Sequence, residues 1–197
     1  QRLKSTNIIL VGGTQSISKS QETNLIKQGY NVRRISGKDR IDTSFEIVKE
    51  LSNLNQTKQF DNAFLVHSTK SIVDSASVSA AACRMNSPIL FVGNDIKSFK
   101  EKYSNYTFNN TYLIGGSTAK LSKNFPNPII IYGKNRNDTS MKIADAFFKN
   151  SKSIFLAKNG EQRFSELIDC VTVAPFAANE KSPIIFTSTK NDLTQSE

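Results

Sequence analysis

The 197-residue chain has no tryptophan, a single histidine (His67) and only two cysteines. Nor does it contain an apolar run near the roughly 20 residues that a membrane span needs. Each scarcity removes a class of function. With no CxxC pair and one histidine, zinc, haem and Cys-His catalysis are poorly supplied, so neither metal nor cofactor is expected. Cys83 and Cys170 each lie in a small apolar run, "SAAACRM" and "LIDCVTV", which predicts two buried thiols rather than a disulfide framework. The missing tryptophan leaves no base-stacking aromatic array. No charged segment followed by an apolar stretch opens the chain at Gln1, so a signal peptide has been removed or was never there.

Acids are outnumbered. Lysine and arginine total 26 against 17 aspartates and glutamates, a net charge of +9 spread over both halves with no basic tail. Such a surface attracts polyanions, yet long-range attraction does not separate nucleic acid from anionic polysaccharide or a membrane surface, and a merely soluble basic protein carries the same charge. At 197 residues and 38% apolar, the chain is long enough for one ordinary domain or two small ones.

The sequence repeats itself. "RRISGKDRIDTSFEIV" from Arg33 is echoed by "IIIYGKNRNDTSMKIA" from Ile129, with Gly37 on Gly133 and Arg40 on Arg136. "IILVGGTQSISK" at Ile8 finds "YLIGGSTAKLSK" at Tyr112, "AFLVHS" at Ala63 finds "SIFLAK" at Ser153, and "SPILFV" at Ser87 finds "SPIIFT" at Ser182. Four anchors in one order, at a period too long for a solenoid, indicate a duplicated domain. The expected boundaries are 1–108 for the first copy and 109–197 for the second, which is truncated at its C-terminal helix.

Within each copy, short β-branched runs alternate with amphipathic stretches, the pattern of strands buried on both faces between helices. "SKSQETNLIKQGY" predicts a helix stopped at Gly29. In "DTSFEIVKEL", Phe45, Val48 and Leu51 share a face, and Thr43 with Glu46 fits a capping box. The second copy offers Met141, Ala144 and Phe147, with Lys142 replacing the glutamate and a weaker cap expected. The predicted class is α/β: duplicated β/α units with mainly parallel four-stranded sheets flanked by helices, an open-sheet layering similar to Toprim and Rossmann folds. The polar connection "NDIKSFKEKYSNYTFNN" is expected to hold a short helix.

Catalytic motifs are wanting. "LVGGT" and "LIGGS" complete neither a dinucleotide fingerprint nor a phosphate loop, so the paired glycines read as turns. No G-x-S-x-G elbow exists, and His67 has no counterpart in the second copy. Asp74 and Asp169 recur, each opening a small-residue helix whose free amides an acid would cap.

The repeated cluster is the most informative feature. Gly37 and Gly133 end strands and Asp-Thr-Ser opens a helix, so Arg40 and Arg136 project at the positive end of a helix dipole, beside Lys38 and Lys134. That arrangement suits a phosphate or carboxylate. It equally suits an internal role, with each arginine bonded to Asp42 or Asp138, or to a neighbouring carbonyl, and fixing the turn.

These motifs together resemble the cell-wall-binding type 2 repeat of clostridial surface-layer and cell-wall proteins. "RISGKDRIDTS" from Arg34 is similar to the family's Arg-Ile-x-Gly-x-Asp-Arg-x-x-Thr, and "IYGKNRNDTS" from Ile131 is a weaker version with Asn135 for the aspartate. "DSASVSAAA" at Asp74 and "DCVTVAPFAA" at Asp169 resemble its Asp-Ala-Leu helix start, "PILF" at Pro88 and "PIIF" at Pro183 its Pro-Ile-Leu-Leu strand, and "LVGGTQSIS" and "LIGGSTAKLS" its glycine-pair turn. The resemblance implies a non-catalytic module, extracellular in the cell wall or S-layer, that anchors a secreted protein by binding an anionic secondary cell-wall polysaccharide. It implies polymer contacts at Arg40, Arg136, Lys38, Lys134 and Arg34. Gly37, Gly133, Asp42, Thr43, Asp138, Thr139, Asp74, Asp169, Pro88 and Pro183 would carry the structural motif. Family modules come in threes and pack as a pseudo-threefold trimer, so partners would be the polysaccharide and other copies of the repeat, with no nucleic acid. A two-copy chain is then expected to be a fragment or a self-assembling form. The alternative is a nucleotide or nucleic-acid binding α/β protein.

Overall fold

Strand-forming runs of isoleucine, valine, leucine and phenylalanine alternate with helices throughout residues 6–188, which the computed structural model describes. The chain divides after Gln56 into two units.

In the first unit, strands β1 (Asn7–Val11) and β2 (Asn31–Ile35) pair in parallel, Asn7 opposite Asn31 and Val11 opposite Ile35. Helix α1 (Lys19–Lys27) opens with a reciprocal capping box between Ser18 and Gln21, and Gly29 follows its last turn. Helix α2 (Arg40–Asn55) starts earlier than the expected Thr43–Glu46 box would place it. Asp39 is the cap, its carboxylate accepting the Asp42 amide at 2.9 Å, while Glu46 pairs with Lys49. Val48 is fully buried on the predicted face.

The second unit is built on a four-stranded parallel sheet in the order β4-β3-β5-β6, comprising β4 (Ile89–Val92), β3 (Gln59–His67), β5 (Thr107–Ile114) and β6 (Ile129–Ile131). Phe64 lies opposite Ile89 on one side and Tyr112 on the other. β3 and β4 carry the "AFLVHS" and "SPILFV" stretches, whereas β5 and β6 carry the stretches that echo β1 and β2. Crossing β3 to β4 are α3 (Ile72–Ser77) and α4 (Ser79–Arg84), whose alanines and serines let helix and sheet approach closely. The polar connection contains α5 (Ile96–Lys102), capped by Asp95, and its "TFNN" is the start of β5.

After β5 come α6 (Gly116–Ala119), α7 (Arg136–Phe147), β7 (Phe155–Lys158), α8 (Leu167–Asn179) and β8 (Ile184–Thr187), with β7 and β8 parallel. The weaker cap expected for α7 is not found: Asn135 accepts the Asp138 amide at 2.8 Å just as Asp39 serves α2, because an amide oxygen accepts as a carboxylate does. The buried line of α7 runs through Ser140 and Ile143, one residue off the predicted Met141–Ala144–Phe147 face.

The core joins Phe64, Val66 and Ile114 of the sheet to Val78, Ala81, Ile143, Cys170 and Phe186. Pro88 and Pro183, both buried, start the β3–β4 and β7–β8 ladders, their carbonyls accepting from the Phe64 and Phe155 amides. Cys170 is buried as expected, its thiol donating to the Ala76 carbonyl. Cys83 is not: it lies on the outward side of α4 and is exposed. The truncation expected for the second copy's last helix concerns residues beyond 188, outside the described residues.

Candidate anion-binding site

In the sheet of the second unit, β4 lies on one side of β3 and β5 on the other, so the chain's path reverses between β3 and β5. Open α/β sheets form their crevice outside the carboxyl ends of the strands at such a point. Here an open pocket of about 730 Å³ lies over the ends of β3, β5 and β6.

Three short segments supply its walls. After β3 come Lys70, Ser71 and Asp74; after β5, Gly116 and Lys120; after β6, Tyr132, Lys134 and Arg136. The first and second segments are tied together by the buried Thr118, whose hydroxyl accepts the His67 amide at 2.8 Å. His67 itself is buried, its Nδ1 facing the amides of Thr69 and Lys70 and its Nε2 facing Asn94, which fixes the turn that presents Lys70.

The repeated cluster explains itself at the level of bonds. Thr139 Oγ1 accepts the Gly133 amide at 3.0 Å and donates to the Asn135 carbonyl, and Asp138 accepts the Lys134 amide at 2.7 Å. Thr43 makes the same pair of bonds to Gly37 and Asp39. Strand end and helix start are thereby stapled, and the arginine is left as the first residue of its helix.

Arg136 is half-buried. Its Nη1 donates to the Asn159 carbonyl at 2.8 Å, so it takes up part of the internal role while still lining the pocket. Asn159 is buried and held in turn by Asn137 and the Glu161 amide. Lys134 is exposed, and among the described residues its ammonium group, like those of Lys70 and Lys120, is in no ion pair with a carboxylate. In the first unit Arg40 is exposed at the start of α2, and Lys38 stands 3.8 Å from Asp42.

Arg34 is turned inward. It donates to the Gly12 and Ile17 carbonyls at 2.6 and 2.9 Å and pairs with Glu22 at 3.0 Å, tying the glycine-pair turn to β2 and α1. Hydrogen bonds from Lys19 and Arg34 hold Glu22 below the usual carboxylate range.

Asp74 and Asp169, read as matching caps, differ. Asp74 is buried in the first turn of α3, where the Ser71 hydroxyl is its hydrogen-bond partner. Burial pushes its pKa up to about 6, against the opposing pulls of the Ser71 hydroxyl and the Arg136 charge. Asp169 occupies the same turn of α8 and is exposed.

The residues that sequence reasoning missed are Lys70, Lys120 and Tyr132. Tyr132 and Lys120 lie inside the repeated stretches but at positions where the first copy has no ring or cation, Lys70 lies in none of them, and only the parallel pairing of β3 with β5 brings Lys70 to the other two.

Residues 34–125 and 130–197 match the family model of cell wall binding domain 2. The chain belongs to this family. It is 29% identical over 168 residues to the N-acetylmuramoyl-L-alanine amidase LytC of Bacillus subtilis (strain 168), covering 80% of this chain and 31% of that protein. The amidase enhancer of the same organism is 31% identical over 123 residues, 62% of this chain and 16% of that protein. Among solved structures, Cwp8 from Clostridium difficile superposes with a TM-score of 0.82 at 31% identity, covering 98% of this chain and 33% of that one. Cwp6 from Clostridium difficile shares the fold, with a TM-score of 0.76 at 24% identity over 93% of this chain and 30% of that one. The chain thus spans a third or less of each of these proteins.

Membership makes this a cell-wall-binding repeat protein of the wall or cell surface. Among the described residues no helix is long and apolar enough to cross a membrane. Nothing in these matches supports the nucleotide or nucleic-acid alternative.

Proposed function

We propose that the chain anchors a secreted protein to the cell wall by non-covalent binding of an anionic secondary polysaccharide. Arg136 and Lys134 would meet the polymer in the second unit, and Arg40 and Lys38 would do so in the first. The observation that carries this reading is the open pocket in which Arg136, on the first turn of α7, lies beside lysines whose ammonium groups are in no ion pair among the described residues. A polymer with regularly spaced negative charge would be held by several weak sites whose linkage raises affinity. In this reading Arg34 supports the glycine turn rather than the ligand. The chain itself makes and breaks no bonds, and the amidase activity in the name of LytC would reside in the parts of that protein this chain does not cover.

We read the chain as two copies, 1–108 and 109–197, the second shortened at its C-terminal helix. Other copies of the repeat are proposed as protein partners. On α3 and α4, Ala76, Ser77 and Ala81 are buried under α7 and α8; the matching positions of α8 carry Val171 and Phe176, 57% and 58% exposed. One helix face is covered by the next repeat and its counterpart awaits the same cover.

The test is retention of the chain on purified anionic wall polysaccharide over a salt series, with wild type and a folded Arg40→Ala plus Arg136→Ala variant. The double variant is expected to lose most retention, and wild-type retention to fall as salt screens the charges. Equal retention of the two proteins would refute the role given to the arginines.

A further inference from the structure

The Arg136 pocket is not a site that each repeat owns. Lys70, Ser71 and Asp74 lie in the first copy of the sequence, between its "AFLVHS" and "SPILFV" anchors, whereas Lys120, Tyr132, Lys134 and Arg136 lie in the second. The β3–β5 ladder, seven residue pairs from Gln59–Thr107 to Val66–Ile114, is what sets these walls face to face.

The copies are also unequal at these positions. Tyr132 aligns with Ser36, because each precedes the glycine of the repeated cluster. Counted back from Asp74 and Asp169, Lys70 falls on Ser165, and counted on from the Phe-Leu of the strand stretch it falls on Glu161, so neither count gives the second copy a lysine there. Lys120 is an extra residue between the glycine pair and "LSK", where the first copy runs from "GGTQS" directly to "ISK". What the copies share is therefore the Gly-Lys-x-Arg corner; the remaining cations and the aromatic ring belong to this junction alone.

The ring is presented for contact. Tyr132 is 48% exposed and Ile130 43% exposed, both lining the pocket, so an apolar floor lies beside a group of cations. Aromatic faces carry negative potential and receive the electropositive C–H face of a sugar ring, while ammonium and guanidinium groups take an acidic substituent on that ring or its linkage. Among the described residues Asp74 is the one acid on the pocket wall, and it is buried against Ser71 rather than extended into the opening.

Resting on the anchoring function proposed above, we infer that the pocket is a sugar-reading site assembled at the repeat junction. Tyr132 is the platform for a sugar ring, and Lys70 and Lys120 are direct contacts to its acidic group opposite Arg136. The Arg40 corner, which lacks the tyrosine and the Lys120 insertion in its own copy, contributes charge attraction without reading the sugar. The repeated arginines are then unequal partners: Arg136 holds a recognised unit and Arg40 a passing charge.

The experiment compares two probes on the whole chain: purified anionic wall polysaccharide, and inorganic polyphosphate as a polyanion without sugar. Tyr132→Ser is expected to weaken polysaccharide binding about tenfold and to leave polyphosphate binding within about twofold, since only the sugar contact is lost. Lys70→Gln plus Lys120→Gln should weaken both, and Arg136→Ala should weaken polysaccharide binding at least several-fold more than Arg40→Ala. All these positions except Arg136 are exposed, so circular dichroism melts should overlay for the tyrosine and lysine variants. If wild type binds the polysaccharide but Tyr132→Ser and the lysine pair bind it equally well, the junction site is refuted and the anchoring function stands. Equal losses at Arg40 and Arg136 would also refute it. If wild type binds no wall polysaccharide, the anchoring function itself fails, whatever polyphosphate does.

Discussion

The Asp74 carboxylate occupies the space in which a side chain on Gly115 would have to begin. A Cβ built there would lie 2.7 Å from the carboxylate carbon and 3.0 Å from the Ser71 hydroxyl, and Gly115 has a φ of +87° that other residues rarely adopt. Gly115→Ala is therefore penalised twice, by strain and by collision with a buried acid, and should destabilise the chain by about 2–4 kcal/mol in urea unfolding. Gly13→Ala is the control: a Cβ there meets nothing within 4 Å, and the change should fall within about 0.5 kcal/mol.

The same acid should make both stability and binding depend on pH. The folded-state pKa of Asp74 is raised from 3.8 to about 6 by burial, so the folded protein holds this proton more tightly than the unfolded chain does. The sign follows. Asp74 favours the folded state most below its unfolded pKa, and this contribution falls as pH rises from about 4 to about 6, after which ionised Asp74 costs on the order of 3 kcal/mol. Asp74→Asn should abolish that component, raising the melting temperature relative to wild type above pH 6 more than at pH 4. Below pH 6 the pocket also loses its negative charge, so retention on anionic polymer should strengthen in wild type across this range and stay flat in Asp74→Asn. A flat wild-type profile would remove Asp74 from the electrostatics of the site.

The alternation of strands and helices was legible because most strands are short apolar runs and helices α1, α2, α5 and α7 each start at a side-chain cap. So was the repeated corner, whose glycine, threonine and arginine act within about six residues of one another. The rest is non-local. No periodicity says that β3 of one copy will pair with β5 of the next, so the meeting of Lys70 with Tyr132 and Lys120 could not be read. Asp74 and Asp169 look alike in sequence and differ in burial, since the glycine turn that covers the first is contributed from 41 residues downstream of Asp74. Cys83 misled for a related reason: an apolar run only shows that one side of a helix is buried, and Cys83 lies on the other.

The two thiols should report folding in opposite ways. Cys83 is exposed, whereas Cys170 is buried, donates to the Ala76 carbonyl and has its pKa pushed up to about 12 by burial. The thiolate is the reactive form, so a maleimide at neutral pH should label Cys83 within minutes and Cys170 only after denaturant opens the second unit. Mass mapping of the labelled peptides checks this. Equal labelling of both cysteines in the native protein would mean that the core around Cys170 opens readily.

Under the proposed function, Arg136 and Asn159 would separate a residue that touches the ligand from one that aims it. The Asn159 carbonyl receives Arg136, and its side chain is fixed by Asn137 and the Glu161 amide. Asn159→Ala removes those buried bonds and should cost about 1–3 kcal/mol of stability while leaving every cation of the pocket in place. Polymer affinity should fall because Arg136 is no longer held in one orientation, yet the slope of affinity against salt should stay close to that of wild type, since the same charges are neutralised on binding. Arg136→Ala should lower the affinity and flatten the slope together, because a charge has been removed. Measuring both variants by retention at four or more salt concentrations distinguishes the roles. If Asn159→Ala flattened the slope as much as Arg136→Ala, the asparagine would be acting on the number of charges engaged, not on the direction in which one of them points.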